Sequence, residues 1–433
     1  MPKESDIMSD DSLQVFTAKP GSVDPDRNIV ATYYIEGKGI TIQQAAVKIA
    51  AEESIGTWTE VTTATSWLVR NLPAKAFEFK TEDGTTGFTK VAYPVDLFDY
   101  ETGGVPNILS IIAGNLFGSG SLNNIRLIDV AFPRSVVSTL RGPKFGIEGV
   151  RKLIGTDKDR RPHLGTIIKP KVGLIPKETA NAAFEAAVSG VDFIKDDETL
   201  TDRKFCPLLD RVSAGLEVLD KAKSETGRTT LYAPDVTAET YMIGELADKV
   251  IAHGAPFLMV DVVPCGYSAV RMLAEDPSIK VPIRVHRAGH GAFTRNPKHG
   301  ISMKVLAEFT RLAGGDQLHT GTATGKMDRK IPEILETNNF LRGQFFDLKT
   351  TMPVASGGVH PMRVPANIET LGNDLVIQAG GEIQGHPGGT RAGAKAMRQA
   401  IDACMKGLPL QEYAKTHREL DLALKHWGKT FLI

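Results

Sequence analysis

The 433-residue chain is poor in cysteine: Cys206, Cys265 and Cys404 stand alone, with no paired spacing. That excludes a disulfide-stapled scaffold or a cysteine zinc site and points to a reducing compartment, so a cytoplasmic protein is expected. Net charge is also missing, because 51 Lys and Arg balance 51 Asp and Glu. No overall field draws the chain to nucleic acid or to an anionic membrane, and neither is expected as a partner. No apolar run is long enough to span a bilayer; Ile108–Phe117 is already broken by Ser110 and Asn115. The opening Met1-Pro2-Lys3-Glu4-Ser5-Asp6 is polar, unlike a signal peptide. No glycine-rich dinucleotide fingerprint follows a first strand. Gly321–Met327 is one residue short of a P-loop and lacks its final Ser or Thr. His286 and His290 are four apart but lack the glutamate of a helical zinc motif.

What remains is a chain with 42% apolar and 24% charged residues, too long for a single core. Its rhythm changes once. Residues 1–25 lack periodicity and read as a tail. From 26 to 141 the pattern is mixed: strands at Asn28–Gly37, Thr57–Thr62, Ala76–Thr81, Gly87–Ala92 and Ile125–Ala131, helices at Thr41–Ser54 and Asn107–Phe117. This predicts a small α+β, ferredoxin-like domain with its helices on one face of the sheet. From 142 to 433, apolar strands alternate with amphipathic helices. The strands are Leu164–Lys171, Val191–Asp197, Thr230–Asp235, Phe257–Val262, Ile283–Arg287, Gln317–Gly321, Pro353–Ser356 and Val376–Gly380. Continuously apolar strands are buried on both faces, as in a parallel sheet wrapped by helices. Eight repeats over roughly 240 residues match a (β/α)8 TIM barrel, and the fold class predicted is α/β.

The most informative stretch is Val191-Asp192-Phe193-Ile194-Lys195-Asp196-Asp197-Glu198, an apolar strand that ends in one lysine and three carboxylates. Alternation sends Lys195 and Asp197 to one side and Asp196 to the other. Carboxylate oxygens suit a hard cation such as Mg²⁺, yet a lysine ammonium beside it would be repulsive. Other strands end in Lys169-Pro170-Lys171, His286-Arg287, His319-Thr320-Gly321-Thr322, Ser356-Gly357-Gly358 and Gly380-Gly381. One lysine pair at a strand end is commonly a surface feature. Six polar strand ends converging on a barrel's C-terminal mouth make a site. The glycine pairs can offer backbone N–H groups to a phosphate, and Arg287 with His319 can hold a second anion. Lys169 and Lys171 beside a metal suit proton abstraction next to a carbonyl. Two separated anion sites flanking a metal fit a phosphorylated, indeed a bisphosphorylated, sugar.

These residues carry a resemblance to the ribulose-bisphosphate carboxylase/oxygenase family over nearly the whole chain. Lys169-Pro170-Lys171-Val172-Gly173-Leu174 resembles the family's first-strand motif, and Phe193-Ile194-Lys195-Asp196-Asp197-Glu198 its metal motif. The resemblance implies that CO₂ carbamylates Lys195 and that Mg²⁺ is held by the carbamate, Asp197 and Glu198. It makes Lys169 the base for enolisation with Lys171 beside it, and puts His286 near the reacting hydroxyls. Arg287, His319 and Ser356, with Gly357 beside them, match contacts at one phosphate. Thr57, Trp58, Lys326, Gly358, Gly380 and Gly381 resemble the other phosphate site. The resemblance also implies that Lys326 is carried on a mobile loop that closes over CO₂. Ala51–Thr59 resembles the segment with an active-site glutamate, here Glu52, and Gly114–Gly118 the motif with a substrate-binding asparagine, here Asn115. In the family these small-domain groups enter a second subunit's barrel, which implies a homodimer or a higher oligomer of dimers.

Three positions depart from the pattern. Ile167 replaces a threonine found in plant-type members, Asp235 an asparagine, and Glu382 a third glycine after Gly380-Gly381. Phe293–Gly300 and Leu424–Gly428 resemble archaeal, form III-like members, which act without small subunits in nucleotide salvage. The expected activity is carboxylation, with competing oxygenation, of ribulose 1,5-bisphosphate. The alternatives are an enolase or isomerase of a methylthio-sugar phosphate and a non-catalytic sugar-phosphate-binding protein. Lys326 and a full second phosphate site favour the first of these three.

Overall fold

A computed structural model describes residues 14–56, 62–326 and 331–428. The predicted strand at Thr57–Thr62 lies largely outside them, as do Thr57 and Trp58. The chain divides into two compact units, residues 1–140 with 289–312, and residues 141–288 with 313–433.

In the first unit, β1 (Asn28–Gly37) alternates buried and half-buried residues, so one face meets a core. α1 (Ile42–Glu52) follows, capped by Thr41, whose hydroxyl accepts the Gln44 N–H while Gln44 returns to the Thr41 N–H. Then come β2 (Lys75–Thr81), β3 (Thr86–Pro94), α2 (Gly104–Ile112) and β4 (Leu122–Ala131). Antiparallel pairing sets the strands in the order β4-β1-β3-β2, the ferredoxin-like arrangement. The helix expected to run to Phe117 stops at Ile112 and resumes as a 3₁₀ turn, Asn115–Gly118. The break has a cause: the Gly114, Asn115 and Leu116 amides turn to the Glu53 carboxylate instead of continuing the helix.

The second unit starts with α3 (Gly146–Ile154) and then alternates strand and helix: β5 (His163–Ile167), α4 (Pro176–Ala187), β6 (Phe193–Lys195), α5 (Leu208–Thr226), β7 (Leu231–Ala233), α6 (Thr240–Ala252), β8 (Leu258–Asp261), α7 (Val262–Glu275) and β9 (Ile283–His286). An excursion after β9 belongs to the first unit, where β10 (Gly300–Ile301) pairs parallel with β4. The helix that follows, α8 (Met303–Ala313), belongs to the first unit except for its last residue, and the alternation resumes in the second with β11 (Gln317–His319), α9 (Ile331–Arg342), β12 (Met352–Ser356), α10 (Val364–Leu371), β13 (Val376–Ala379), α11 (Gly389–Met405) and α12 (Arg418–Gly428). All eight strands of this sheet run parallel in the order β7-β6-β5-β13-β12-β11-β9-β8. A parallel bridge between Asp235 and Met259 closes β7 onto β8, giving the barrel. The predicted strand Leu164–Lys171 is shorter, ending at Ile167 three residues before Pro170.

The octapeptide around β6 shows how one strand serves both ends. Phe193 faces inward and packs with Val150, Phe257, Met259 and Val376 in the core. Its ring meets Phe257 edge-on at 5.5 Å between centroids. Asp192, at the entry of β6, pairs with Arg161 at 2.7 Å and Arg398 at 2.6 Å and accepts the Leu164 N–H. Its charge is therefore structural, at the barrel's N-terminal face. Lys195 lies at the opposite end, fully buried.

Candidate active site

At the exit of β6, Lys195 Nζ donates to the Asp196 carbonyl oxygen at 2.7 Å and lies 3.2 Å from Glu198 Oε2. Burial pushes the Lys195 amine below its ordinary range, and the charge of Arg284 adds to this, against the opposing pull of Glu198 and Asp197. Burial would raise Glu198, but the charge of Lys195 beside it, with help from its own backbone N–H, outweighs this and holds the carboxyl down to about 2. Asp197 Oδ2 accepts from Lys169 Nζ at 2.8 Å, so the lysine after β5 reaches across to the carboxylate after β6. Asp197 Oδ1 also accepts the Thr199 hydroxyl at 2.8 Å.

Asp196 points the other way, as alternation requires. It accepts from Arg211 of α5, from the Tyr232 hydroxyl at 2.6 Å and from the Asp235 N–H. Asp235 lies in this outer layer as well, accepting from Thr201 and Thr237, and burial pushes its carboxyl up to about 7.

His286, at the end of β9, has Nδ1 3.3 Å from Asp261 Oδ2 at the end of β8. The Ala288 N–H donates to the same Nδ1 at 3.2 Å, and Nε2 lies 3.6 Å from Glu198 Oε2. Burial lowers the His286 pKa and keeps the ring neutral. Its ring meets that of His319 edge-on at 4.6 Å. His319 is buried, driven well below its ordinary pKa by burial, and its Nε2 has no hydrogen-bond partner. The hydroxyls of Thr320 and Thr322 are likewise buried without partners. Unpartnered buried polar atoms at one strand end are atoms that a bound ligand or ordered water would satisfy.

Arg287, adjacent to His286, has burial lowering its pKa to about 10 and a guanidinium close to Gly321. Ser356 ends β12; Gly357 and Gly358 follow with φ of 111° and 78°, values that side chains resist. The Gly357 carbonyl accepts the Lys326 N–H at 3.0 Å, and a Cβ on Gly358 would meet the Lys326 backbone at 2.8 Å. The Lys326 side chain is exposed. Gly380 follows β13 beside Lys169, and Gly381 is exposed. Lys171 lines a cleft with Pro170, Val172 and Asp197. Glu52 and Asn115 are exposed residues of the first unit, at the end of α1 and the start of the 3₁₀ turn.

Asp261 and Glu53 escaped the sequence reading. No local pattern shows Asp261, because its partner sits on the next strand. Glu53 sits beside Glu52 but faces inward, 7% exposed, accepting the amides on either side of Asn115. Burial raises its carboxyl from 4.5 to about 7. A raised folded-state value means that the stability tied to protonation is complete below pH 4.5 and is lost as pH rises through about 7. Glu53→Gln should therefore match the wild type near pH 4.5 and melt higher at pH 8, by up to roughly 2–3 kcal/mol. Thermal melts at the two pH values test this; an equal or lower Tm at pH 8 refutes it.

The family model described as "Ribulose bisphosphate carboxylase large chain, catalytic domain" matches residues 146–427, and the one for the large chain's N-terminal domain matches residues 19–136. The ribulose bisphosphate carboxylase of Methanocaldococcus jannaschii is 45% identical over 408 residues, covering 90% of this chain and 95% of that one. The Pyrococcus abyssi protein of the same name is 42% identical over 407 residues, covering 94% and 95%. Among solved structures, the octameric Rubisco of Pyrococcus horikoshii OT3 in complex with sulfate superposes with a TM-score of 0.91 at 40% identity, covering 96% and 97%. The dimeric archaeal Rubisco of Hyperthermus butylicus gives 0.88 at 39% identity, covering 96% and 99%. Among the described residues no helix is long and apolar enough to cross a membrane.

Proposed function

The chain belongs to the ribulose bisphosphate carboxylase large-chain family and is an enzyme, and from this we propose that it carboxylates ribulose 1,5-bisphosphate. CO₂ and water would join the sugar to give two molecules of 3-phosphoglycerate, with O₂ competing for the same intermediate. The observation that carries this reading is the buried Lys195, set at a barrel mouth beside Asp197 and Glu198 and across from Lys169. A site for binding alone has no use for a buried amine among carboxylates.

The residues suit Mg²⁺ once Lys195 has reacted with CO₂. Burial favours its neutral amine, which can form an N–C bond to CO₂ and release a proton, turning a cation into an anionic oxygen donor. The carbamate, Asp197 and Glu198 then form an all-oxygen donor set of the kind hard cations take. Bound there, Mg²⁺ would stabilise negative charge developing on the substrate's oxygens.

The chain's own groups divide the remaining work. Lys169 Nζ takes the proton from the carbon beside the carbonyl, with Lys171 assisting. His286, neutral and oriented by Asp261, handles the proton of a reacting hydroxyl. Arg287, His319, Ser356 and Gly357 hold one phosphate. Thr57, Trp58, Gly358, Gly380 and Gly381 hold the other, and Lys326 neutralises the new carboxylate. Glu52 and Asn115 would come from a second copy of the chain, making a homodimer the smallest active form, with no small subunit. Residues 26–141 then serve as the N-terminal domain, residues 142–433 as the catalytic domain, and nucleotide salvage is the setting.

Purified protein given Mg²⁺, labelled bicarbonate and ribulose bisphosphate should place label in 3-phosphoglycerate. Absence of label, together with turnover of a methylthio-sugar phosphate, overturns the proposal.

A further inference from the structure

The N–H of Gly380 is not open. Glu382 Oε2 accepts it at 3.1 Å, so a carboxylate sits at the end of β13. We propose that Glu382 is a built-in anion at the second phosphate position, which a substrate phosphate must displace to reach that N–H. The inference rests on the phosphate role given to Gly380 and Gly381 above.

The surroundings favour displacement of a side chain over movement of the backbone. Gly380 leads into a one-turn helix, Gly381–Gln384, whose Ile383 is fully buried. Gln384 Nε2 donates to the Ile167 carbonyl oxygen at 3.3 Å and ties the turn to the end of β5. Glu382 itself is half-exposed, so its carboxylate can rotate into water at small cost. A Cβ built on Gly381 would meet nothing within 4 Å, so the space before the turn is open. On the other flank, a Cβ on Gly380 would meet Lys169 Cε at 3.4 Å. Gly380 therefore lies beside the lysine assigned as base, and the carboxylate bound to its N–H sits in the region a phosphate would enter. Two anions on one N–H repel, and the donor can serve one of them at full strength.

A local cap is the plainer account of the same bond, because acidic residues in a first helical turn accept amides near the N-terminus. The two accounts predict different results. If Glu382 competes with phosphate, Glu382→Gln keeps an acceptor but loses the charge, and Glu382→Gly loses both. KM for ribulose bisphosphate should then fall roughly three- to tenfold in both variants, the range expected of one charge-assisted hydrogen bond with its like-charge repulsion. If Glu382 is only a cap, Tm falls in the glycine variant and KM does not drop in either. Inorganic sulfate offers a readout independent of turnover. Calorimetry should show tighter sulfate binding by Glu382→Gly than by the wild type, and equal or weaker binding overturns the proposal. A wild type that fixes no carbon would defeat the assigned reaction, whereas the sulfate comparison would still decide the role of Glu382.

Discussion

Lys195→Ala is expected to lower carbon fixation by at least about 10³-fold and to abolish activation by CO₂ and Mg²⁺, because it removes a donor on which the site's charge balance depends. Lys195 is fully buried, and its amine touches the Asp196 carbonyl oxygen and Glu198. Burying an ammonium is unfavourable, and here Arg284 adds to the penalty. Part of that cost is relieved when the amine becomes a carbamate, because the new anion suits Arg284 and no longer opposes a divalent cation. Alanine leaves Asp197 and Glu198 as a two-carboxylate remnant with a cavity behind it. Lys195→Arg separates charge from chemistry: a guanidinium keeps the positive charge, cannot be neutralised at working pH and forms no carbamate. Both variants should therefore be inactive, and trapping with labelled CO₂ should mark the wild type alone. If Lys195→Arg keeps CO₂-dependent activation, the carbamate role is wrong.

How far the sequence could lead depends on which contacts are local. The barrel strands were legible because a parallel strand buried on both faces must be apolar along its length, as Phe193–Ile194 and Leu258–Val260 are. Lys195, Asp197 and Glu198 were legible because charge interrupts an apolar run where the strand ends. Alternation also sent Asp196 away from them, and its partners lie on the helix side. The cation it meets was not legible, because Arg211 sits on α5 among other apolar and charged helix positions. Asp261 was hidden for the same reason: β8 and β9 must first lie side by side before Asp261 and His286 become opposite residues in register. The pairing of β10 with β4 joins segments 174 residues apart and involves two residues, Gly300 and Ile301, too few for a periodic signal. Glu53 was not legible beside Glu52, because only the helix end turns one outward and the other toward the Asn115 turn.

The outer network behind the site carries the second large effect. Arg211→Met should destabilise the catalytic unit by roughly 3–5 kcal/mol, the usual cost of removing one partner from a buried ion pair. Arg211 and Asp196 are 0% and 2% exposed, and the pair is 3.0 Å apart. Arg211 also donates to the Cys206 and Thr201 carbonyl oxygens, so it ties the loop after β6 to α5. Without it, Asp196 keeps the Tyr232 hydroxyl and the Asp235 N–H but loses the positive charge that balances it. Asp235 already sits beside Asp196 as a second buried carboxyl, which sharpens the imbalance. The expected fall in Tm is about 10 °C for a unit of this size. Asp196→Asn combined with Arg211→Met should recover part of the loss, since a neutral amide left without its cation is far less costly than a carboxylate. Differential scanning calorimetry of the two variants beside the wild type measures this, and Arg211→Met melting within about 2 °C of the wild type would refute it. Activity should fall along with stability, because Asp197 and Glu198 are held in place by the backbone that Asp196 anchors. A strand that ends in four charges needs one of them turned outward and neutralised before the other three can work together.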